Sequence, residues 1–218
     1  MIERTIRAET HGRYLVEPPS AAPAAGTLIG FHGYAESAEA QLLRMRAIAG
    51  AERWLLVAVQ GLHLFYQRRT NEVVASWMTR QHRDLAISTN AAYVASVVDA
   101  IAAEWPGGGP LVFAGFSQGV AMAYRAMAAS PRRVDGVIAA GGDVPPELDA
   151  AALGRVARVL ICRGIRDEWY TTAKFDADIG RLRAAGATVT PVTFDGGHEW
   201  ADPVIRAAAT FLEHPWPR

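Results

Sequence analysis

Short apolar runs alternate with amphipathic segments along this chain, and no other feature of the sequence constrains the fold as strongly. The apolar runs predict six buried strands, at residues 27–31, 54–59, 110–114, 134–140, 157–162 and 188–194. Five helices are predicted in addition, one capped by Ser37, one from Asn90, two at residues 118–129 and 171–185, and one with Asp202 as its cap and Pro203 first. This alternation is typical of the α/β class, with one open, mostly parallel sheet and helices on both faces.

The remaining segments are predicted from weaker patterns. Residues 61–87 have no clean period and are interpreted as a long irregular loop, with the cap of the next helix at residues 88–90. The first twenty residues could add one or two antiparallel edge strands. The connection at residues 141–156 is too short for a large lid, and we expect a single domain over residues 1–218.

The composition excludes several classes of protein. Lys plus Arg and Asp plus Glu both number 22, so the chain lacks the basic excess that nucleic-acid binding needs. The single cysteine, Cys162, cannot form an internal disulfide, and neither a signal peptide nor an uninterrupted apolar stretch of membrane-spanning length is evident. We therefore expect a soluble, cytoplasmic protein without a membrane span; whether it forms a homodimer is left open.

One short motif points to chemistry. Gly115-Phe116-Ser117-Gln118-Gly119 fits G-x-S-x-G and lies between a predicted strand and a predicted helix, as a nucleophile elbow requires. In such a turn the serine has a strained backbone, and the glycines avoid collisions with strand and helix. The amino terminus of the helix also points at the serine, where an oxyanion would develop. Ser117 is therefore the candidate nucleophile.

A serine needs a base, and two of the six histidines follow predicted strands. His32 follows the first strand and His198 the last. The chain order of serine, acid and histidine favours His198 as the base, with His32 shaping the loop beside the site.

The third group must accept a hydrogen bond from the imidazole. Asp167 ends the strand that contains Cys162 and is the preferred acid. Asp143, after the preceding strand, is the main alternative. Glu168 is a weaker one, and Asp195 is close in sequence to His198, which makes a correct orientation difficult.

Taken together, Phe31-His32-Gly33, the Ser117 motif, residues 164–167 and Gly197-His198 resemble the phospholipase/carboxylesterase family of α/β-hydrolases, which includes acyl-protein thioesterases. The resemblance covers residues 27–212. It implies an α/β-hydrolase fold and a serine esterase without cofactor, with Ser117, Asp167 and His198 as the triad. It also implies an oxyanion hole from the backbone N–H groups of Gln118 and Tyr34. One departure is that Ala35 and Glu36 stand where the family usually has Gly and Asp.

Five aromatic residues near these positions are candidates for substrate binding, namely Trp77, Phe116, Trp169, Tyr170 and Trp200. Trp169, Tyr170 and Trp200 are expected on exposed loops. Residues 61–85 are expected to cover part of an open cleft for small or medium acyl esters. The arginines of that segment (Arg68, Arg69, Arg80 and Arg83) could bind an acidic group or simply be solvated. No metal-ligand spacing and no phosphate-binding loop is evident, so neither a metal nor a cofactor is expected.

The favoured function is a carboxylesterase acting on a small-molecule ester. A thioesterase, or a lactone hydrolase of the dienelactone type, would use the same residues, and the sequence does not separate them. A binding protein with the hydrolase fold and no turnover is the remaining alternative.

Overall fold

The computed structural model describes residues 1–216, so the last two residues of the predicted domain lie outside the described residues. The strands in chain order are β1 (Tyr14–Glu17), β2 (Thr27–Phe31), β3 (Leu55–Val59), β4 (His63–Tyr66), β5 (Val73–Ser76), β6 (Leu111–Phe116), β7 (Gly136–Ala140), β8 (Arg158–Gly164) and β9 (Thr188–Phe194). The helices are α1 (Ala38–Arg46), α2 (Arg83–Glu104), α3 (Gln118–Ala129), α4 (Ala150–Leu153), α5 (Thr172–Ala184) and α6 (Asp202–Glu213).

Seven of the strands form one sheet in the spatial order β1-β3-β2-β6-β7-β8-β9. All neighbouring pairs are parallel except β1 and β3, which are antiparallel at one edge. The predicted mostly parallel α/β sheet is therefore confirmed, and β1 is the antiparallel edge strand expected from the first twenty residues. The short α4 lies in the connection at residues 141–156, where a large lid was not expected.

Alternate residues of the strands face opposite sides of the sheet, and each side has its own apolar core. On one side Ile29, Val57 and Phe113 pack with α2, α3 and α5. On the other side Leu28 and Leu56 pack with α1 and α6. Helices on both faces bury nearly all residues of the central strands, which explains why those strands are continuous apolar runs.

The interpretation of residues 61–87 as an irregular loop is wrong in two respects. Strands β4 and β5 pair antiparallel as a two-stranded hairpin, and α2 begins at Arg83 instead of Asn90. Most of β4 is exposed, so it has no apolar alternation to find. His82, at the start of α2, has a φ of 51° and makes no side-chain capping hydrogen bond, so the predicted cap at residues 88–90 lies inside the helix.

The cap of α6 also differs from the prediction. Ala201 occupies the N-cap position and makes no side-chain hydrogen bond there, whereas Asp202 is the first residue of the helix. An acidic side chain in the first turn still interacts favourably with the helix dipole, which is why Asp202 resembled a cap in the sequence.

Helix α2 is the one described helix whose length and hydropathy would suffice to cross a membrane. Val94, Val97, Val98 and Ile101 of α2 are instead buried in the core on the α3 side of the sheet. Its apolar composition is thus accounted for by packing inside the fold.

Two glycines in helices give opposite predictions for stability. A Cβ at Gly119 would lie 2.0 Å from the Phe31 carbonyl oxygen, whereas a Cβ at the exposed Gly180 would meet nothing within 4 Å. We expect Gly119→Ala to lower the free energy of unfolding by about 1–3 kcal/mol, because backbone must move. Gly180→Ala should raise it by about 0.5–1 kcal/mol, because glycine is unfavourable inside a helix. Urea unfolding of both variants measures this, and a neutral Gly119→Ala would contradict the close packing.

Candidate active site

Ser117 occupies the turn between β6 and α3, at the carboxyl end of the sheet. Its φ of 53° and ψ of −120° put a non-glycine residue in the left-handed half of backbone space. A Cβ at Gly115 would lie 2.5 Å from the Gly119 carbonyl oxygen, and a Cβ at Gly119 would collide with the end of β2. The turn therefore needs both glycines, as the G-x-S-x-G pattern predicts.

His198 lies on the loop after β9 and contacts Ser117 directly. The distance from His198 Nε2 to Ser117 Oγ is 2.8 Å, and that from His198 Nδ1 to Asp167 Oδ2 is also 2.8 Å. Since a carboxylate can only accept, Nδ1 must carry the proton and donate it to Asp167. Nε2 is then the nitrogen that accepts from the Ser117 hydroxyl.

Asp167 is held by its own loop as well as by the histidine. Its side chain is fully buried. Asp167 Oδ1 accepts hydrogen bonds of 2.9 Å from the backbone N–H groups of both Trp169 and Tyr170. The carboxylate thus keeps one oxygen for the imidazole and one for the backbone, which fixes its orientation.

Two of the alternative acids, Asp143 and Asp195, have other partners. Asp143 Oδ2 is 2.9 Å from Lys174 Nζ, and the Asp143 side chain is half exposed. Asp195 pairs with Arg166 on the surface. Among the candidate carboxylates of the sequence analysis, the structure brings Asp167 to His198.

The predicted oxyanion donors are the backbone N–H groups of Gln118 and Tyr34. Within residues 1–216, neither the Gln118 nor the Tyr34 amide donates a hydrogen bond, whereas the Gly33 amide donates to Glu36 Oε2 at 2.7 Å. Gly119 lies against the carbonyl groups of Phe31 and His32, so the start of α3 packs against the end of β2. The Tyr34 ring itself is exposed and lies beside Phe65.

Glu36 stabilises the turn that contains Tyr34. It forms a two-point ion pair with Arg44, each N–O distance being 2.6 Å, and it also accepts from Gly33. Burial raises the pKa of the Glu36 carboxyl, but hydrogen bonds and charge from Arg44 outweigh burial and lower it below its ordinary value. Ala35 has a φ of 57°. Ala35 thus has a left-handed backbone, and Glu36 supplies a carboxylate, at the two positions where this chain departs from the Gly and Asp of the family resembled.

The Phe116 ring lies between Arg44 of this ion pair and the His198 ring. The Arg44 guanidinium lies over the Phe116 ring, 4.3 Å from its centre. The Phe116 ring in turn packs against the His198 ring at 5.2 Å. Phe116 is therefore buried as a support for the imidazole, which differs from the predicted contact with substrate.

His32 is a structural histidine. Both ring nitrogens have partners, since Nδ1 lies 2.7 Å from the Gly33 carbonyl and Nε2 accepts from the Gly61 N–H at 3.0 Å. Burial lowers the pKa of His32, which favours the neutral ring. Trp77 stacks on this ring and its Nε1 donates to the His32 carbonyl. Trp77 is fully buried there, so the prediction that it binds substrate is corrected.

The hairpin made of β4 and β5 and the residues after it are hydrogen-bonded to the turn that contains Tyr34 and to the Gln118 side chain. Ala75 of β5 exchanges backbone hydrogen bonds with Ala35 and Glu36, at 3.0 and 2.8 Å. The Gln118 side chain accepts from the Trp77 N–H and donates to the Met78 carbonyl, at 2.9 and 3.1 Å. The segment at residues 76–78 therefore lies directly against the start of α3.

The remaining aromatic candidates for substrate binding, Trp169, Tyr170 and Trp200, differ in burial and in whether they line the cavity beside Ser117. Trp169 is three-quarters exposed and lines the cavity beside Ser117. Tyr170 is fully buried, and its hydroxyl donates to Asp178 at 3.1 Å, so its predicted place on an exposed loop is wrong. Trp200 is half-buried, packs against the core beneath α6, and does not line that cavity. Side-chain direction, which the sequence does not show, decides these outcomes.

The cavity beside Ser117 has a volume of about 270 Å³. Met78 and Arg83 from the predicted covering segment line part of it. So does Arg125 of α3, which the sequence analysis missed because it lies within a run of small and apolar residues. Among residues 1–216 no group of three or more His, Cys, Asp or Glu side chains is placed to hold a metal ion.

Comparison with known proteins shows the family to which the chain is related. Residues 13–214 match the family described as Phospholipase/Carboxylesterase. A search of curated proteins finds no match.

Solved structures with the same fold include a carboxylesterase from Bacillus cereus, with a TM-score of 0.75, 16% identity, and coverage of 93% of both chains. A carboxylesterase from Mesorhizobium loti has a TM-score of 0.72 and 22% identity, covering 88% of this chain and 90% of that one. A protein of unknown function from Agrobacterium tumefaciens has a TM-score of 0.70 and 20% identity, covering 91% of this chain and 94% of that one. With its α/β-hydrolase sheet and a match over nearly the whole chain, this protein belongs to the phospholipase/carboxylesterase family.

Proposed function

We propose that this protein is a serine hydrolase that cleaves carboxylic esters of small or medium acyl groups. The observation that carries the proposal is the continuous chain of contacts from Ser117 Oγ through the His198 ring to Asp167, with both hydrogen bonds 2.8 Å long. An unactivated serine hydroxyl is a weak nucleophile, and this arrangement is the one that activates it.

In the first half of the reaction, Ser117 Oγ attacks the ester carbonyl carbon while its proton moves to His198 Nε2. Asp167 stabilises the imidazolium through the bond to Nδ1. The carbonyl oxygen becomes an oxyanion, which accepts hydrogen bonds from the Gln118 and Tyr34 amides. Collapse of the tetrahedral intermediate breaks the bond to the alcohol oxygen, which leaves with the proton from Nε2.

In the second half, water takes the place of the alcohol. His198 Nε2 accepts a proton from the water as its oxygen attacks the carbonyl of the acyl-enzyme. Collapse releases the carboxylic acid and returns the proton to Ser117 Oγ. No step needs a metal or cofactor.

Family membership and cavity size support an ester of modest size. The chain belongs to the phospholipase/carboxylesterase family, and two proteins of the same fold are carboxylesterases. A cavity of about 270 Å³ lies at the small end of ligand pockets, so it suits a small acyl group better than a long one.

Covalent labelling tests the nucleophile. A fluorophosphonate probe should form an adduct on Ser117 in the folded protein, and Ser117→Ala should abolish both labelling and hydrolysis of 4-nitrophenyl acetate, because the covalent step needs this hydroxyl. Mass spectrometry locates the adduct, and Ser130→Ala is a matched control away from the site. A wild-type protein that stays unlabelled would favour the binding-protein alternative. Rates on an oxygen ester and its thioester analogue would then separate esterase from thioesterase.

Paired substitutions test the acid. Asp167→Asn should lower kcat by about 10⁴-fold, because it no longer holds the imidazole in the working tautomer. Asp143→Asn should keep most of the activity, since Asp143 contacts Lys174 and not His198. Kinetics on 4-nitrophenyl acetate compares the two, and the opposite ranking would move the role to Asp143.

A further inference from the structure

The cavity beside Ser117 is lined by more positive than negative side chains. Arg83, Arg125 and Lys174 line it together with a single carboxylate, that of Asp143. A neutral acyl group needs no such charges, because apolar side chains would bind it better. The charges therefore bear on which ester the proposed hydrolase accepts.

Arg125 is placed toward the reaction centre by helix geometry. Gln118, Ala121 and Arg125 are spaced to share one face of α3, and all three line the cavity. Arg125 lies eight residues after Ser117, about 12 Å along the helix axis. Helical side chains lean toward the amino terminus, so the arginine covers part of this distance, and the small Ala121 leaves the space between open.

The hydrogen bonding of Arg125 is incomplete. Its side chain is only 5% exposed. Nε and Nη2 contact the same oxygen of Glu147, Oε1, at 2.7 and 2.6 Å. Nη1 faces the Met78 sulfur at 3.4 Å, and a thioether is a weak acceptor. The Arg125 Nη1 group, whose neighbour is a weak acceptor, can therefore still donate a hydrogen bond to a carboxylate oxygen.

The local charges leave one cation in excess. Arg83 Nη2 lies 3.7 Å from the second oxygen of Glu147, so two guanidinium groups share one carboxylate. Lys174 and Asp143 neutralise each other across the cavity. Asp84, which is 3.7 Å from Arg83, is almost fully exposed, so solvent screens its charge. The arginine side of the cavity therefore suits one negative charge.

We propose that the substrate is a small ester with a free carboxylate, which Arg125 and Arg83 bind while Ser117 attacks the ester carbonyl. The proposal rests on the serine hydrolase function above and narrows its substrate class. The carboxylate could belong to the acyl part, as in a monoester of a short dicarboxylic acid, or to the alcohol part, as in an ester of a hydroxy acid. The chemistry recognised is the same, and the experiment separates the two.

Two pairs of isosteric substrates test the proposal. Monomethyl glutarate and its neutral carboxamide analogue carry the group on the acyl part, while O-acetylglycolate and O-acetylglycolamide carry it on the alcohol part. In at least one pair, kcat/KM should be about tenfold or more higher for the carboxylate, the usual size of a charge-assisted hydrogen bond. The pair that shows the preference identifies the part of the ester.

Variants locate the preference. Arg83→Gln and Arg125→Gln should each lower the carboxylate-to-carboxamide ratio several-fold, whereas Arg69→Gln, an exposed arginine outside the cavity, should keep the wild-type ratio. The side chain of Arg83 is 42% exposed, so Arg83→Gln should fold even where the buried Arg125→Gln does not. Thermal melting of each variant shows which values can be compared.

The outcomes are distinguishable. One outcome is that the protein hydrolyses 4-nitrophenyl acetate but shows, in both pairs, a kcat/KM for the carboxylate that is equal to or lower than that for the carboxamide. That result overturns the proposed substrate class and leaves the proposed hydrolase function standing. A carboxylate preference that survives Arg83→Gln and a folded Arg125→Gln also overturns it. Absence of both 4-nitrophenyl acetate turnover and fluorophosphonate labelling removes the hydrolase itself, and the inference with it.

Discussion

The close packing of Gly119 against the carbonyl groups at the end of β2 is the contact on which the rest of the site depends. It brings the first turn of α3 against the end of β2, directly before the loop that contains Tyr34. The Ser117 amide donates to the Ala140 carbonyl at 2.9 Å, which anchors the turn to β7 as well. Three strands thus determine the position of a single hydroxyl.

The sequence was sufficient to predict those elements whose signal lies within a few consecutive residues. The central strands are buried on both faces, so each is a plain apolar run, and α3 and β9 begin and end where the pattern predicts. The glycines around Ser117 reflect collisions within a few residues. Chain order alone favoured His198 over His32, and the partners of the His32 nitrogens now explain the difference physically.

What sequence reasoning missed depends on distant contacts. The start of α2 has no capping side chain, and the exposed β4 has no apolar alternation. Tyr170 closely follows Asp167, and Trp77 lies in the segment expected to cover the cleft, so both were predicted to bind substrate. In the structure a hydrogen bond to Asp178 holds Tyr170 inside the fold, and stacking on His32 holds Trp77 there. Arg125 lies in a run of small and apolar residues, and only the structure shows its partners Glu147 and Met78. Neither partner lies near it in the sequence.

The hairpin of β4 and β5 has a consequence for how this protein could change over evolution. Its second strand is bonded to the turn that contains Tyr34, and the residues that follow hold the side chain of Gln118. A displacement of the hairpin would therefore reach both the backbone of the Tyr34 turn and the side chain of Gln118. Variation in the hairpin during evolution would thus affect two segments beside Ser117 that are far apart in the sequence.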